Sequence, residues 1–277
     1  LPVKITGPWF AGESIISKIN LDLSKSSQPL TAWLLASSLL GQKVILTPSK
    51  STVSNRHHNL TLRLCNQFGA NIKRIEGQYH LAKWQVKTPK EVLVPGDSSM
   101  ASFAILLSKL HHNKIKLTYW PSEEDCLGNE ILKQNSDNFG INWQGNQINY
   151  STNGRVADYD LTDCNDLITP LSIILAISSG GSLSGIGHTI YKESNRISKT
   201  ISLMEDFGLT ASYDGEIMTI PGGQVPIKPT SPISSYNDHR IFMTAVALMT
   251  KFGGEVIGRG LHKIADPMFL DRLGIVE

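Results

Sequence analysis

Four apolar stretches recur along the chain at steps of about seventy residues, and each follows a polar residue that can begin a helix. They begin near Ser27, Ser99, Asp166 and Asp238, so successive starts are 72, 67 and 72 residues apart. Apolar runs that are longer than a typical strand predict helices that pack in a core. The third stretch is apolar from Leu171 to Ile177 except at Ser172, which predicts a short buried helix.

A second series of signals follows the first at the same period. The dipeptide Phe-Gly occurs at positions 68, 139 and 207. A glycine just past the last apolar residue is typical of a helix end, so each dipeptide predicts the end of a second, amphipathic helix. Alternating runs such as QYHLAKWQV and GEIMTIPG come next and predict strands. Each unit is therefore predicted to run strand, helix, strand, helix, and then one or two strands, which makes the chain an α/β protein built from repeats.

The polar residues at the four helix starts allow two interpretations. They can cap the helix by accepting hydrogen bonds from its free N–H groups, which is the interpretation we favour for Ser98 and Ser99. Alternatively, several helix N-termini converge on one anionic ligand, because exposed N–H groups and the helix dipole attract anions. For Asp166 both remain open, since its carboxylate could cap the helix or could orient or deprotonate a hydroxyl group.

Composition excludes several classes of function. The 277 residues carry 26 basic and 24 acidic side chains, a formal net charge of +2, which favours neither nucleic acid nor a membrane surface. The three cysteines, Cys65, Cys126 and Cys164, lie far apart and predict neither a zinc site nor a disulfide framework, so a reducing, cytoplasmic location is expected. No apolar run approaches the roughly 20 residues of a membrane span. The start, LPVKITG, lacks the basic and apolar regions of a signal peptide.

Four short segments gather groups suited to binding anions: KSSQ at 25–28, KESNR at 192–196, YNDHR at 236–240 and LHKIADP at 261–267. Lys192 and Arg196 are four residues apart, so on one helix face they repel by a few tenths of a kcal/mol. Either that face is simply solvated, or an anion belongs between the two cations. The histidine pairs at 57–58 and 111–112 lack the spacing of metal ligands, and we interpret the second pair as a turn.

These segments, in this order, resemble the 5-enolpyruvylshikimate-3-phosphate synthase family, the 3-phosphoshikimate 1-carboxyvinyltransferases. The resemblance rests on SSQ at 26–28, GDSSMAS at 96–102, ND at 165–166, KESNR at 192–196 and NDHR at 237–240. It implies βαβαββ repeats in the two-domain fold of the enolpyruvyl transferases, an inside-out α/β barrel that is incomplete here, because the family has six repeats and this chain shows four starts. It also implies transfer of the enolpyruvyl group of phosphoenolpyruvate to the 5-hydroxyl of shikimate 3-phosphate, with release of phosphate.

The resemblance also implies a role for each matching residue. Three are implied to be catalytic: Asp166 as the group that takes the hydroxyl proton, Glu193 near the reacting methylene, and Lys192. The residues implied to hold shikimate 3-phosphate are Ser26, Ser27, Gln28, Ser54, Asp166, His188 and Lys192. Those implied to hold phosphoenolpyruvate are Gln28, Arg196, His239, Arg240 and Lys263. No metal ion or organic cofactor is implied.

The chain departs from the family in several places. The first third of the family's length has no counterpart, and His188 stands roughly where the family has an Asn. Residues 1–93 are expected to be the remaining part of the upper domain with one repeat, and residues 94–277 the lower domain with three repeats and an unfilled sheet edge. The hinge is expected near Val94-Pro95-Gly96.

Two alternative hypotheses stay open. The chain could be a non-catalytic relative that binds an anionic ligand or complements another chain, such as one that carries the missing N-terminal repeats. It could also be a UDP-N-acetylglucosamine enolpyruvyl transferase, which has the same repeats, although KESNR and NDHR fit the shikimate enzyme better.

Overall fold

The computed structural model describes residues 17–94, 96–121 and 128–276. It divides the chain into two compact units, Leu1–Leu93 and Val94–Glu277. The predictions made for the LPVKITG start, for Pro95 in the expected hinge and for Cys126 lie outside the described residues. The assignment of the two units as parts of an upper and a lower domain stays a prediction.

The first unit contains one complete repeat with the order βαβαββ. Its elements are β1 (Lys18–Leu21), α1 (Gln28–Ala36), β2 (Val44–Pro48), α2 (Asn55–Gln67), β3 (Lys73–Ile75) and β4 (Gln78–Leu81). The four strands form one sheet in the order β1-β2-β4-β3. β1 is parallel to β2, whereas β4 is antiparallel to both β2 and β3. Buried leucines of α1, Leu30 and Leu34, belong to the core of this unit.

The second unit begins with two helices and an antiparallel sheet of three strands. The elements are α3 (Ala101–His111), β5 (Ile115–Lys116), α4 (Asn129–Leu132), β6 (Phe139–Gln144) and β7 (Gln147–Gly154). The sheet order is β5-β7-β6. Among the described residues no strand lies on the other side of β5, although the backbone N–H of Gly96 donates to the carbonyl of Tyr119 at 2.9 Å.

The rest of the second unit contains a further complete repeat and part of another. The elements are β8 (Ala157–Asp160), α5 (Ile168–Ala176), β9 (Gly180–Ser184), α6 (Arg196–Asp206), β10 (Ser212–Tyr213), β11 (Met218–Pro221), β12 (Ile233–Ser234), α7 (His239–Phe252), β13 (Val256–Ile257) and α8 (Phe269–Arg272). The first four strands lie in the order β8-β9-β11-β10, and β12 pairs in parallel with β13.

The predicted repeat is confirmed by strand direction as well as by element order. β8 is parallel to β9, and β11 is antiparallel to β9 and β10, which is the arrangement of β1 to β4. A parallel pair needs a crossover helix, which α1 and α5 provide in their repeats. The carboxyl ends of both strands of such a pair lie at one edge of the sheet, so the helices that follow them start at that edge.

Helix α5 is the centre of the second unit. All nine of its residues are buried, as the apolar stretch predicts, and it packs against α3, α6 and α7. Fully burying each large aliphatic side chain contributes about 1.5–3 kcal/mol relative to exposure, so this helix holds the other three in fixed positions. No described helix of the protein has both the length and the apolar character that crossing a membrane requires.

Two sequence predictions about boundaries are wrong in part. The Phe-Gly pairs at 68 and 207 do follow helices, and Gly69 and Gly208 have φ values of 105° and 71°. Phe139, however, is the first residue of β6 and follows only a three-residue 3-10 turn, Ser136–Asn138, while the nearest α-helix described before it, α4, has only four residues. Here the glycine permits an irregular register between Phe139 and Ile141 rather than ending a helix. The predicted strand QYHLAKWQV is shorter than expected and ends at Leu81.

Candidate active site

Four helix starts of the second unit converge on one cluster of charged side chains. The contributing residues lie just before or within the first turns of α3, α5, α6 and α7, and they contact one another through hydrogen bonds and ion pairs. The convergence follows from the packing of α5 against the other three helices. Several helix starts therefore meet in the second unit, while their convergence on an anionic ligand stays a prediction.

Arg196 is the centre of the cluster. Its guanidinium is 1% exposed and donates to three carboxylates. Nη1 lies 2.6 Å from Asp166 Oδ1, Nη2 lies 2.7 Å from Glu193 Oε2, and Nε lies 2.8 Å from Asp238 Oδ2. Charge-assisted hydrogen bonds of this kind are roughly twice as strong as neutral ones, so Arg196 fixes three separate segments.

Asp238 has two roles in the cluster. As the N-cap of α7 it accepts the backbone N–H of Arg240 at 2.9 Å, and it also accepts the hydroxyl of Ser194 at 3.0 Å. Its Oδ1 also lies 3.3 Å from Nη2 of Arg196, which makes the ion pair bidentate. Asp238 is fully buried, so the bidentate pair is what compensates its charge.

Arg240 is the second buried cation. Its Nη2 donates to the hydroxyl of Ser99 at 3.0 Å and lies 3.5 Å from Asp166 Oδ2 and 3.9 Å from Asp97 Oδ2. Its Nε is buried and has no hydrogen-bond partner among the described residues. Asp166 is consequently shared between Arg196 and Arg240.

The capping predictions need two corrections. At the start of α3 the capping residue is Asp97, whose carboxylate accepts both the backbone N–H and the hydroxyl of Ser99 at 2.9 and 2.7 Å. The prediction that Ser98 and Ser99 cap the helix is wrong, because Asp97 precedes them and is a better acceptor. Asp166 makes no capping hydrogen bond at the start of α5 either, since its two oxygens point to the arginines.

The arginines control the ionisation of Asp166, which is half-buried, and of Asp238, which is fully buried. Burial alone would raise the pKa of Asp166, but the charges of Arg240, Arg196 and Lys192 hold that pKa far below its ordinary value. Burial would likewise raise the pKa of Asp238, and its hydrogen bond and ion pair with Arg196 lower it instead. Both carboxylates are therefore ionised near neutral pH.

Two histidines border the cluster, and both are buried. Burial and the positive charges of Arg240 and Arg196 lower the pKa of His239, whose Nδ1 lies 3.7 Å from Glu193 Oε1. Burial and Lys192 lower the pKa of His188, against the opposing effect of nearby aspartates. The Nε2 of His188 has no hydrogen-bond partner among the described residues.

The two predicted lysines are placed differently. Lys192 ends a short 3-10 turn, is half-buried, and is close enough for its charge to act on Asp166 and His188. Lys263 is exposed on the 3-10 turn Leu261–Ile264. Its neighbour His262 stacks on Phe242 of α7 with ring centroids 6.1 Å apart, so this turn lies beside α7.

The predicted serines of the first unit lie at the starts of α1 and α2. The hydroxyl of Ser26 accepts the backbone N–H of Gln28 at 3.2 Å, and Ser27 is buried in the N-cap position without a capping hydrogen bond from its side chain. Ser54 is buried with a left-handed backbone, φ 55°. The backbone hydrogen bond from Val53 to Leu23, 3.2 Å, brings the two helix starts to the same edge of the sheet.

Comparison with known proteins adds the family. The family model for EPSP synthase (3-phosphoshikimate 1-carboxyvinyltransferase) matches residues 1–266. The chain belongs to the EPSP synthase family. It is similar to the 3-phosphoshikimate 1-carboxyvinyltransferases of Methanosphaerula palustris, with 26% identity over 260 residues, and of Aeropyrum pernix, with 29% identity over 280 residues.

These alignments cover 92% and 98% of this chain but only 60% and 62% of the two relatives, so the chain spans about 60% of the length of the EPSP synthases it matches. An EPSP synthase structure from Acinetobacter baumannii has the same fold, with a TM-score of 0.66 and 20% identity over 93% of this chain and 62% of that one. The described sheets are all open, which agrees with an incomplete form of the enolpyruvyl transferase fold.

Three acidic or hydroxyl residues of the cluster were missed by sequence reasoning as members of the site. Asp97, Ser99 and Asp238 contact the two arginines, yet each looks like an ordinary helix cap in the sequence. For Asp238 a signal was available, because it directly precedes His239 and Arg240 in the motif that this EPSP synthase family member carries.

One part of the cluster has the donor types of a metal site. Glu193, Asp238 and His239 each offer a ligand atom within 4.8 Å of the others. The donors do not fit a cation well, because Arg196 already neutralises both carboxylates at 2.7 and 2.8 Å. The arrangement is better explained as a network of ion pairs centred on Arg196.

A groove of about 530 Å³ lies beside the cluster and has a different character. It meets the cluster at Asp97 and Met100, whereas most of its wall is apolar and comes from α3, the segment after β5, and α8. A substrate with several anionic groups would find few partners there, so the groove is not a candidate for the active site.

Proposed function

We propose that the chain carries the catalytic half-site of 3-phosphoshikimate 1-carboxyvinyl transfer, the activity after which its family is named. The reaction moves the enolpyruvyl group of phosphoenolpyruvate to the 5-hydroxyl of shikimate 3-phosphate and releases phosphate. The observation that carries this proposal is the convergence of Asp166, Glu193, Arg196 and Arg240 in one cluster of the second unit.

The arginines suit the anionic substrate. Phosphoenolpyruvate bears a phosphate and a carboxylate, and the planar guanidinium groups of Arg196 and Arg240 match both groups geometrically. His239 lies at the same helix start, and Lys263 lies on a turn beside α7. We assign these four residues, together with Gln28, to phosphoenolpyruvate.

The other proposed substrate, shikimate 3-phosphate, needs hydroxyl and amide partners as well as cations. Ser26, Ser27, Gln28 and Ser54 gather at two helix starts of the first unit, where backbone N–H groups favour a phosphate. Asp166, His188 and Lys192 are the proposed partners in the second unit.

The chemistry requires two proton movements. In the first step the substrate 5-hydroxyl loses a proton as its oxygen bonds to C2 of phosphoenolpyruvate, while C3 gains a proton. In the second step C3 loses a proton and the C–O bond to phosphate breaks. Asp166 is proposed to receive the hydroxyl proton, and Glu193 and Lys192 are proposed to transfer protons at the methylene carbon, because carboxylates and amines act as general acids and bases.

The test is phosphate release by the purified chain given both substrates. Turnover that needs both substrates and is lost in Asp166→Ala supports the proposal, while Glu205→Ala, which removes an exposed acidic group at the far end of α6, should leave turnover unchanged. Because the chain spans about 60% of its relatives, the assay is repeated on a chain extended by the remaining family segment. No release from the extended chain would contradict the proposal.

A second candidate function is binding of an anionic ligand without turnover. In a variant of this candidate, the protein complements another chain, such as one that supplies the missing repeats. The chain covers 60% and 62% of the length of the two relatives, so the remaining segment can be supplied separately. Binding of shikimate 3-phosphate without phosphate release, followed by release when the missing segment is added as a separate chain, would support this candidate. A cytoplasmic location stays a prediction from cysteine usage alone.

A further inference from the structure

The two arginines that should bind an anion already have anions bound to them, and these come from the protein itself. Arg196 uses Nε, Nη1 and Nη2 on three carboxylates at 2.6–2.8 Å. Arg240 shares Asp166 with Arg196, and its Nη2 also donates to the hydroxyl of Ser99. An incoming phosphate or carboxylate that binds Arg196 therefore needs one of its three carboxylate partners to leave.

The partners differ in how easily they can leave. The side chain of Arg196 is 1% exposed and that of Arg240 is 4% exposed, whereas the side chains of Asp166 and Glu193 are 32% and 42% exposed. Asp238 is fully buried, bidentate, and fixed by its cap of α7. Asp166 and Glu193 thus lie on the solvent side of the cluster, whereas Asp238 lies on its buried side and is held in place.

The charge balance points the same way. The cluster contains three cations, Lys192, Arg196 and Arg240, and four carboxylates, with His239 neutral because its pKa is lowered. The carboxylates are those of Asp97, Asp166, Glu193 and Asp238. A net charge of −1 opposes the approach of a phosphate, since like charges in a partly buried site repel strongly.

We propose that Asp166 and Glu193 are internal anions, which a phosphate- or carboxylate-bearing ligand displaces from Arg196 and Arg240 when it binds. The proposal rests on the proposed function, because it describes how the same site is regulated. Asp238 stays in place throughout and keeps Arg196 oriented toward the ligand.

The exchange has a chemical consequence for the proposed reaction. While Arg240 and Arg196 hold it, Asp166 is a poor proton acceptor, because their charges keep its pKa far below the ordinary value. When the ligand takes over the guanidinium groups, the pKa of Asp166 rises toward the ordinary value of a carboxyl group. The site therefore acquires its base only when the anionic substrate is present.

The experiment titrates inorganic phosphate into the full 277-residue chain by calorimetry at neutral pH and low salt. Glu193→Gln and Asp166→Asn each remove one displaceable charge and keep the side-chain shape. Both variants should bind phosphate about three- to tenfold more tightly than the unaltered chain, because the internal competitor is weakened. Asp238→Asn should bind phosphate more weakly, since Arg196 loses its fixed partner.

Glu205→Gln is the matched control, because it removes one exposed negative charge from the last turn of α6, away from the cluster at the start of that helix. Its phosphate affinity should stay within twofold of the unaltered chain. A merely structural role of Asp166 and Glu193 would weaken phosphate binding in their variants, and that result would overturn the proposal. Unchanged affinity in both variants, or no phosphate binding by any of these proteins, would overturn it equally.

The outcome is independent of turnover. Tighter phosphate binding by Glu193→Gln and Asp166→Asn, with no phosphate release from the substrates even by the extended chain, would keep the exchange and reject the proposed function. Turnover without any affinity gain in these variants would keep the function and reject the exchange.

Discussion

Asp238 and Arg196 join the starts of two helices through one bidentate ion pair. Asp238 Oδ2 lies 2.8 Å from Nε and Oδ1 lies 3.3 Å from Nη2 of Arg196, the first residue of α6. The same carboxylate caps α7. Both partners are almost fully buried, so the geometry of the candidate site depends on this pair more than on any exposed charge.

Asp238→Asn should lower the free energy of unfolding by about 3 kcal/mol, because it leaves the buried charge of Arg196 with only its two exposed partners. Asp238→Ala should cost about 1 kcal/mol more, since the cap of α7 is lost as well. Urea unfolding of the two variants measures both terms. Stability of Asp238→Asn within about 0.5 kcal/mol of the unaltered chain would show that Asp166 and Glu193 suffice for Arg196.

Lys109 gives a second prediction, away from the site. This buried lysine of α3 donates from Nζ to the carbonyl of Phe139 and lies 5.5 Å from the ring of Tyr150. Burial lowers its pKa to about 8. The unfolded chain keeps the proton up to a pKa near 10.4, so the free energy of unfolding rises with pH between these two values.

From pH 8 to pH 9.5 this gain should amount to about 1.5 kcal/mol, and Lys109→Met should lose it. The measurement is urea unfolding of both proteins at the two pH values. Buried tyrosines also titrate at high pH, and the comparison with Lys109→Met removes their contribution. An equal pH dependence of the two proteins would contradict a lowered pKa for Lys109.

The repeat was predictable from the sequence because each period carries its own apolar stretch and, in most periods, a Phe-Gly pair. The ion pairs of the cluster around Arg196 were not predictable. The spacing of the apolar stretches and of the Phe-Gly pairs correctly predicted α2 and α6, the helices that end just before Gly69 and Gly208. The same dipeptide failed at Phe139, because an irregular strand and a helix end both use the backbone freedom of glycine. For Asp166 the sequence left a cap and a catalytic carboxylate equally open, since the answer depends on where α6 and α7 place their arginines.

Close packing of two strands predicts a strong effect of one glycine. Gly181 of β9 pairs with Ala157 of β8, and a Cβ at Gly181 would lie 1.9 Å from the carbonyl oxygen of Ala157. Gly181→Ala should therefore cost roughly 3 kcal/mol by forcing the strands apart. Gly187→Ala is the matched control, because a Cβ there meets nothing within 4 Å. Thermal unfolding compares them, and equal midpoints would mean that β8 and β9 separate without cost.

The buried histidines predict how stability changes on mild acidification. The pKa values of His188 and His239 are lowered, mainly by burial, so the unfolded chain takes up protons first as the pH falls below about 6.5. Stability should therefore decline from pH 7 toward pH 5. A second decline should follow below about pH 4, where the unfolded chain protonates Asp166 and Asp238 while the arginines keep both ionised in the folded chain, because their pKa values there are lowered.

His188→Asn isolates one histidine from this sum. The amide does not titrate, so the variant should lose less stability between pH 7 and pH 5 than the unaltered chain, while both should show the same decline below pH 4. The measurement is the urea midpoint at half-unit steps of pH. If the two proteins lose stability in parallel above pH 5, His188 is protonated as easily in the folded as in the unfolded chain. That result would mean that water reaches the imidazole of His188 despite its burial.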